Sequence, residues 1–209
     1  MKKIMFNDRY SLTQAVIEGR KTMTRRIMNN QYGNLAGCVG FTKKGRACTY
    51  VRADFDNGIS EDAIYAIDEI VAVVQSYKSI ANDHPDVDTF ILQLSKAYGL
   101  KIEDVPKLPG WTNKMFVKPE LMPHRIRISG IKCERLQDIS DEDCLKEGIN
   151  ASNSHEIGYG IPWVYEFAGS KMVYYTPREA FAALIDKVSG RGTWKSNPWV
   201  VAYEFDLLK

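Results

Sequence analysis

Histidine is scarce in this 209-residue chain, with three at positions 84, 124 and 155, and the four cysteines stand at 38, 48, 133 and 144. No CxxC, HxxxH or comparable ligand spacing joins them. That argues against a metal site or a disulfide framework and leaves the cysteines as free, mostly buried thiols; we expect neither a metal nor a cofactor. No stretch approaches the roughly 18 consecutive apolar residues of a membrane span. The start, Met1-Lys2-Lys3-Ile4-Met5-Phe6-Asn7-Asp8, turns polar before a signal peptide's apolar stretch can form. The expectation is a cytoplasmic protein with no membrane partner. Charge of one sign is missing too: 28 Lys and Arg face 26 Asp and Glu. This excludes a disordered acidic or basic tail and removes any bulk electrostatic demand for nucleic acid. Internal repeats and low-complexity tracts are absent.

What is present is unevenly placed. Residues 1 to 30 hold seven basic groups (Lys2, Lys3, Arg9, Arg20, Lys21, Arg25, Arg26) against Asp8 and Glu18, so one face is expected to be basic on a nearly neutral protein. Lys3 to Phe6 reads as a strand. A helix follows, opened by Asn7-Asp8 or by Ser11 with Gln14 three residues on, burying Leu12, Ala15 and Val16 and ending at Gly19. Arg20 to Ile27 then leaves it as an extended basic stretch. Residues 28 to 60 read as a loop or hairpin excursion with a β-like run at Cys48 to Ala53. Glu69 to Tyr77, rich in β-branched residues, reads as a central strand.

Residues 78 to 120 read as an insertion carrying one outer helix, with Phe90, Ile91, Leu94 and Tyr98 at helical spacing before Gly99. From His124 the pattern has period two, through Ile126, Ile128, Ile131 and Cys133, with a bend expected at Ser129-Gly130. Ser140 opens a short helix closed by Gly148. Thr176, Pro177 and Glu179 open another that buries Phe181, Leu184, Ile185 and Val188. Trp199 to Leu207 is a strand, and Asn150 to Gly160 a Ser/Gly-rich loop. The four tryptophans are expected as core or interface anchors. This order predicts an α+β domain around a small, partly closed mixed barrel with flanking helices.

Three motifs, in order, carry a resemblance: Gly19-Arg20-Lys21-Thr22-Met23-Thr24-Arg25-Arg26, then Glu134-Arg135-Leu136-Gln137-Asp138-Ile139 through Glu147-Gly148-Ile149, then Asn197-Pro198-Trp199-Val200-Val201-Ala202-Tyr203-Glu204-Phe205. Together they resemble the ASCH domain, a relative of the PUA-like barrels, and most of all the larger ASCH proteins of phages and their bacterial hosts. The resemblance implies a single PUA-like domain over residues 1–209, with extra material at about 28–60, 78–120 and 150–175. It also implies an RNA or modified pyrimidine nucleoside partner. Small bacterial members of that family are amidohydrolases that deacylate cytidine acetylated on its exocyclic amine. Their reacting Lys, Thr and Glu match Lys21, Thr24 and Glu147. Where many members carry Gly-Asp-x-Leu-Trp-Val-Arg-Glu, this chain has Asp68 to Gln75, so Val74-Gln75 replaces the Arg-Glu pair.

A threonine hydroxyl needs a neighbouring base to become a nucleophile, and a lysine serves only if its pKa is lowered by desolvation or positive charge. Arg20, Arg25 and Arg26 are candidates for that field. Together with His124, Arg125 and Arg127 they are also candidates for phosphate contacts or base stacking, or alternatively a solvated strand face. Three functions follow: an amidohydrolase, a non-catalytic RNA- or nucleotide-binding module, and a ribonuclease. The first two require the basic turn after the first helix and the helix ending at Glu147 to meet across one solvent-open hollow.

Overall fold

The computed structural model describes residues 1–28, 64–153 and 163–208, together with the backbone of 36–41 and 47–51. These residues form an α+β fold in two units, residues 1–6, 70–126 and 208–209 in the first and residues 7–69 and 127–207 in the second.

In the first unit, β1 (Lys2–Ile4) pairs in parallel with β5 (Ile70–Val73), Ile4 lying opposite Val73. Aliphatic residues on both faces allow this strand to be buried throughout its second half, and Val71, Ala72, Val73 and Val74 have no exposed surface. The strand expected to reach Tyr77 stops early because the Ser76 hydroxyl accepts the Ser79 N–H and caps α2 (Tyr77–Asp83). A second helix, α3 (Val87–Tyr98), opens on Asp86, which accepts from both the N–H and the hydroxyl of Thr89, and closes on Gly99 at φ +65°. Residues 78–120 thus hold two helices, not one. Their apolar faces are core rather than cladding: Tyr77, Ile80, Phe90 and Leu94 close around Ala72 and Val74, with Val105 and Met122. Val74 and Gln75, which replace a charged pair of the ASCH pattern, are both buried.

In the second unit, α1 (Leu12–Ile17) buries Leu12, Ala15 and Val16 as its spacing predicts. Its start differs from the expected serine cap. Ser11 sits at φ +50° without a side-chain bond, while Asn7 caps the preceding single turn of 3-10 helix at Asp8–Tyr10. Strand β2 (Met23–Ile27) runs antiparallel to β9 (Trp199–Leu208), which lies between β2 and β6 (Arg125–Arg135). Strand β6 begins with the last two residues of the first unit and passes straight through Ser129-Gly130. The expected bend is instead a close approach, since a Cβ on Gly130 would lie 3.3 Å from the Glu204 Cβ.

Two separate hairpins complete the strands: β3 (Ala36–Phe41) with β4 (Ala47–Val51), inside the expected 28–60 excursion, and β7 (Asn150–Asn153) with β8 (Trp163–Glu166). The second falls where the sequence suggested a loop; Arg52-Ala53 and residues 154–162, including His155, lie outside the described residues. The pairing is mixed, parallel in the first unit and antiparallel in the second. The described strands do not close into the expected barrel, because the run β6–β9–β2 ends at β2. Helices α4 (Asp141–Lys146) and α5 (Pro177–Ser189) follow the caps read from sequence, Ser140 accepting the Asp143 N–H and Thr176 with Glu179 forming a complete capping box, and a short α6 (Thr193–Ser196), which the sequence reading did not include, follows without a side-chain cap. Trp163 is half exposed, whereas Trp199 and Trp194 lie under the guanidinium groups of Arg135 and Arg178. Among the described residues, no helix is long and apolar enough to cross a membrane.

Candidate functional site

The site is built where α1 gives way to β2. Gly19, at φ +75°, turns the chain out of the helix, and the N–H groups of Arg20 and Lys21 both return to the Ala15 carbonyl at 2.9 Å. Such a turn needs a residue without a Cβ penalty at positive φ. Next, Thr22 donates to the Lys146 carbonyl at the end of α4 and accepts from the Phe205 N–H of β9. Lys21 is thereby pinned against the end of α4, and its side chain runs inward with 2% of its surface exposed.

There the Lys21 Nζ donates to the Glu147 carboxylate (Oε2) at 2.6 Å and to the Glu147 carbonyl at 2.7 Å. One cation therefore pairs a buried carboxylate and caps the carbonyl end of α4, where the helix dipole favours positive charge. A carboxylate at that end is unfavourable by itself, and Lys21 supplies the compensation. Gly148, at φ +100°, makes the approach possible: a Cβ there would lie 3.3 Å from Leu12 Cδ2 and 3.7 Å from Lys21 Cδ.

Arg25 binds the other side of Glu147. Its Nη1 reaches Glu147 Oε1 at 3.2 Å, its Nε and Nη2 reach Glu134 Oε1 at 2.9 and 2.6 Å, and Nη2 also reaches Asp143 at 2.8 Å. Lys132 pairs with the remaining oxygen of Glu134, and Lys146 reaches toward Asp143. The result is a buried ion network in which each charge is opposed, the condition under which buried ions are tolerated. It corrects two expectations. Arg25, with three carboxylates on its guanidinium and 6% exposure, is committed inward rather than offered to a phosphate. Lys21 and Glu147 do meet, but as a buried pair at 2% and 5% exposure rather than across a solvent-open hollow, because Arg25 and the close packing at Gly148 occupy the space.

Burial pushes the Lys21 pKa below its ordinary 10.5; the Glu147 charge opposes this, and Arg26 and Arg25 add to it. Burial also works against charge on Arg25, but the surrounding carboxylates more than offset it and hold its pKa up. Cys144, on α4 beside the network, is raised to about 12 by burial and is an inert thiol.

Thr24 is buried as well, at 5% exposure, and lies opposite Tyr203 in the β2–β9 register. Strand alternation sends Thr24 and Arg26 to the face opposite Met23 and Arg25, and the Arg25–Met23 contact of 3.2 Å fixes which face carries the network. Arg20 is exposed and engaged by Glu18 at 2.6 Å and Asn150 at 3.1 Å. Arg125 and Arg127 are exposed on β6, and half-buried His124, its pKa lowered by burial, precedes that strand. His124 and Arg125 belong to the first unit, and Arg127 and the Lys21 network to the second. The fold therefore brings together Lys21, Arg25 and Glu147, and adds Glu134 and Asp143, which the motif reading had not singled out. Among the described residues no cluster of His, Cys, Asp and Glu is arranged to hold a metal ion.

No family model matches the chain, and no curated protein or solved structure does either.

Proposed function

We propose that this chain binds a modified pyrimidine nucleoside and hydrolyses the amide on its exocyclic amine, acting as an ASCH-type amidohydrolase of PUA-like ancestry. One observation carries the reading: Lys21 and Glu147, 126 positions apart, are the two residues that the ASCH motifs single out across that distance, and they lie 2.6 Å apart; because the pair is buried, the reading requires it to open to admit a substrate. In the proposed reaction neutral Lys21 takes the proton of a water molecule, whose oxygen attacks the acyl carbon, while Thr24, on the other face of β2, takes no part. The C–N bond then breaks, and the amine leaves with a proton returned by Lys21, which Glu147 orients. The hydroxyl supplied by the water stays on the acyl carbon, which leaves as the carboxylic acid. Burial supports the neutral amine that the first step requires.

A second reading, a non-catalytic RNA- or nucleotide-binding module, draws on the same burial: a lysine held by both the carbonyl and the carboxylate of Glu147 also serves as a structural cap. Incubation with N4-acetylcytidine separates the two. The amidohydrolase releases cytidine and acetate, and Lys21→Met abolishes release in a chain that still unfolds cooperatively. Turnover by Lys21→Met equal to that of the native chain overturns the mechanism. Absence of any turnover alongside salt-dependent RNA binding establishes the module instead.

A further inference from the structure

A different part of the second unit presents a built cavity that shares no lining residue with the Lys21 network. It begins with a turn. After β8 the chain folds back through Gly169 at φ +77°, the Ser170 N–H bonds the Phe167 carbonyl at 2.9 Å, and the Ser170 hydroxyl donates to the Met172 carbonyl at 2.7 Å. The turn lies directly on the start of the unit, where a Cβ on Gly169 would be 3.4 Å from the Arg9 carbonyl and 3.8 Å from the Tyr10 ring. Tyr174 is fixed by two backbone hydrogen bonds to Tyr165, at 2.8 and 2.9 Å. The Phe167 ring stacks on Tyr174 at 6.1 Å and meets Tyr10 edge-on at 5.7 Å. Two tyrosines are therefore held in place before any ligand arrives, which limits the ordering cost of binding.

Around these rings stand three cations from separate stretches of chain: Arg9, Lys171 and Lys187, the last from α5. Among the described residues no carboxylate lines the cavity, and neither Lys171 nor Lys187 makes an ion pair. Its volume is about 320 Å³, at the small end of the range for ligand pockets, large enough for one small organic ligand and too small for a folded polymer. Three cations gathered with no carboxylate among the described lining residues select an anion, and ring faces select a planar group.

We infer that the cavity formed by Arg9, Tyr10, Lys171, Met172, Tyr174 and Lys187 is a binding site for a nucleoside monophosphate, its phosphate held by the three cations and its base against the tyrosines. The site stands apart from the amide-hydrolysis reading and survives or fails independently of it. Calorimetric titration of the full chain with cytidine 5′-monophosphate, cytidine and inorganic phosphate tests it. The monophosphate binds saturably, about tenfold or more tighter than either cytidine or phosphate, and weakens as salt is raised. The exposed pair Arg9→Gln with Lys187→Gln lowers its affinity about tenfold while the melting temperature stays native. Tyr174→Ala removes the preference for the monophosphate over phosphate. Absence of saturable heat for the monophosphate, or native affinity in a natively folded double variant, overturns the site. Equal affinity for phosphate and the monophosphate overturns the assignment of the nucleoside.

Discussion

Lys21→Met and Glu147→Gln, separately and together, probe the buried pair at its centre. Removing one member of a buried ion pair costs about 3–5 kcal/mol, because the partner is left charged and desolvated. Both singles should fall near the low end, about 3 kcal/mol. In Lys21→Met, Glu147 keeps the Arg25 guanidinium at 3.2 Å; in Glu147→Gln, Lys21 keeps the residue-147 carbonyl at 2.7 Å. The double variant has neither orphan, so its cost should be smaller than the sum of the singles by about 2 kcal/mol, as expected for groups in direct contact. Guanidinium unfolding followed by tryptophan emission is the assay, since Trp163, Trp194 and Trp199 belong to the second unit and only Trp111 to the first. Additivity of the two singles to within about 0.5 kcal/mol would refute the coupling, and with it the picture of Glu147 held by Lys21.

Two other consequences are testable in the same preparations. Because burial lowers the folded pKa of Lys21 below its unfolded 10.5, the native state carries fewer protons between those two values, so this group's contribution to stability rises as pH climbs toward 10.5 and is lost as pH falls through the folded value. Tyr203 and Cys144, each raised to about 12, act in the opposite sense at alkaline pH. The difference between native chain and Lys21→Met is therefore the quantity to follow, and it should grow from neutral pH upward; a flat difference refutes the shift. Gly148→Ala should lower stability by about 1–2 kcal/mol from backbone strain at φ +100°, with more from the 3.3 Å contact to Leu12, and a native thermal melt would contradict this.

Much of the local structure was legible because its signals are short-range. The capping box at Thr176 and Glu179, the Ser140 cap, the Asp86 start and Gly99 stop of α3, and the apolar face of α1 all formed as their spacing indicates. Errors arose where one side chain redirected the backbone. Ser76 was absorbed into a strand when its hydroxyl caps a helix, and Gly130 suggested a bend when it makes room for Glu204. Strand closure was beyond reach, since no local pattern in β2 or β6 states where a sheet ends. The network's extra members left one readable trace. The inward phase of Ile126 and Ile128, carried on by twos along β6, arrives at Glu134, a buried acid that requires a cation. Cys133 drew the alternation instead to the other phase, so the partner that fixes Arg25 went unmarked.

The Lys21 contacts also bear on how a buried amine can act as a base. An ammonium has three N–H donors and no acceptor, whereas a neutral amine has two N–H donors and one lone pair. The contacts to the carbonyl and the carboxylate of Glu147, at 2.7 and 2.6 Å, hold the amine at two points, so in the proposed reaction Glu147 orients the amine as well as balancing its charge. On that argument Glu147→Gln retains an acceptor at the same place and keeps part of the orientation, while Glu147→Leu keeps only the carbonyl contact. Amide hydrolysis should therefore fall in the order native, glutamine, leucine, with the glutamine variant's rate gaining its full value at lower pH because the charge that favours protonated Lys21 is gone. A glutamine variant whose rate rises only at higher pH than that of the native chain would show that Glu147 lowers, rather than raises, the basicity of Lys21, and would reverse the role assigned to it.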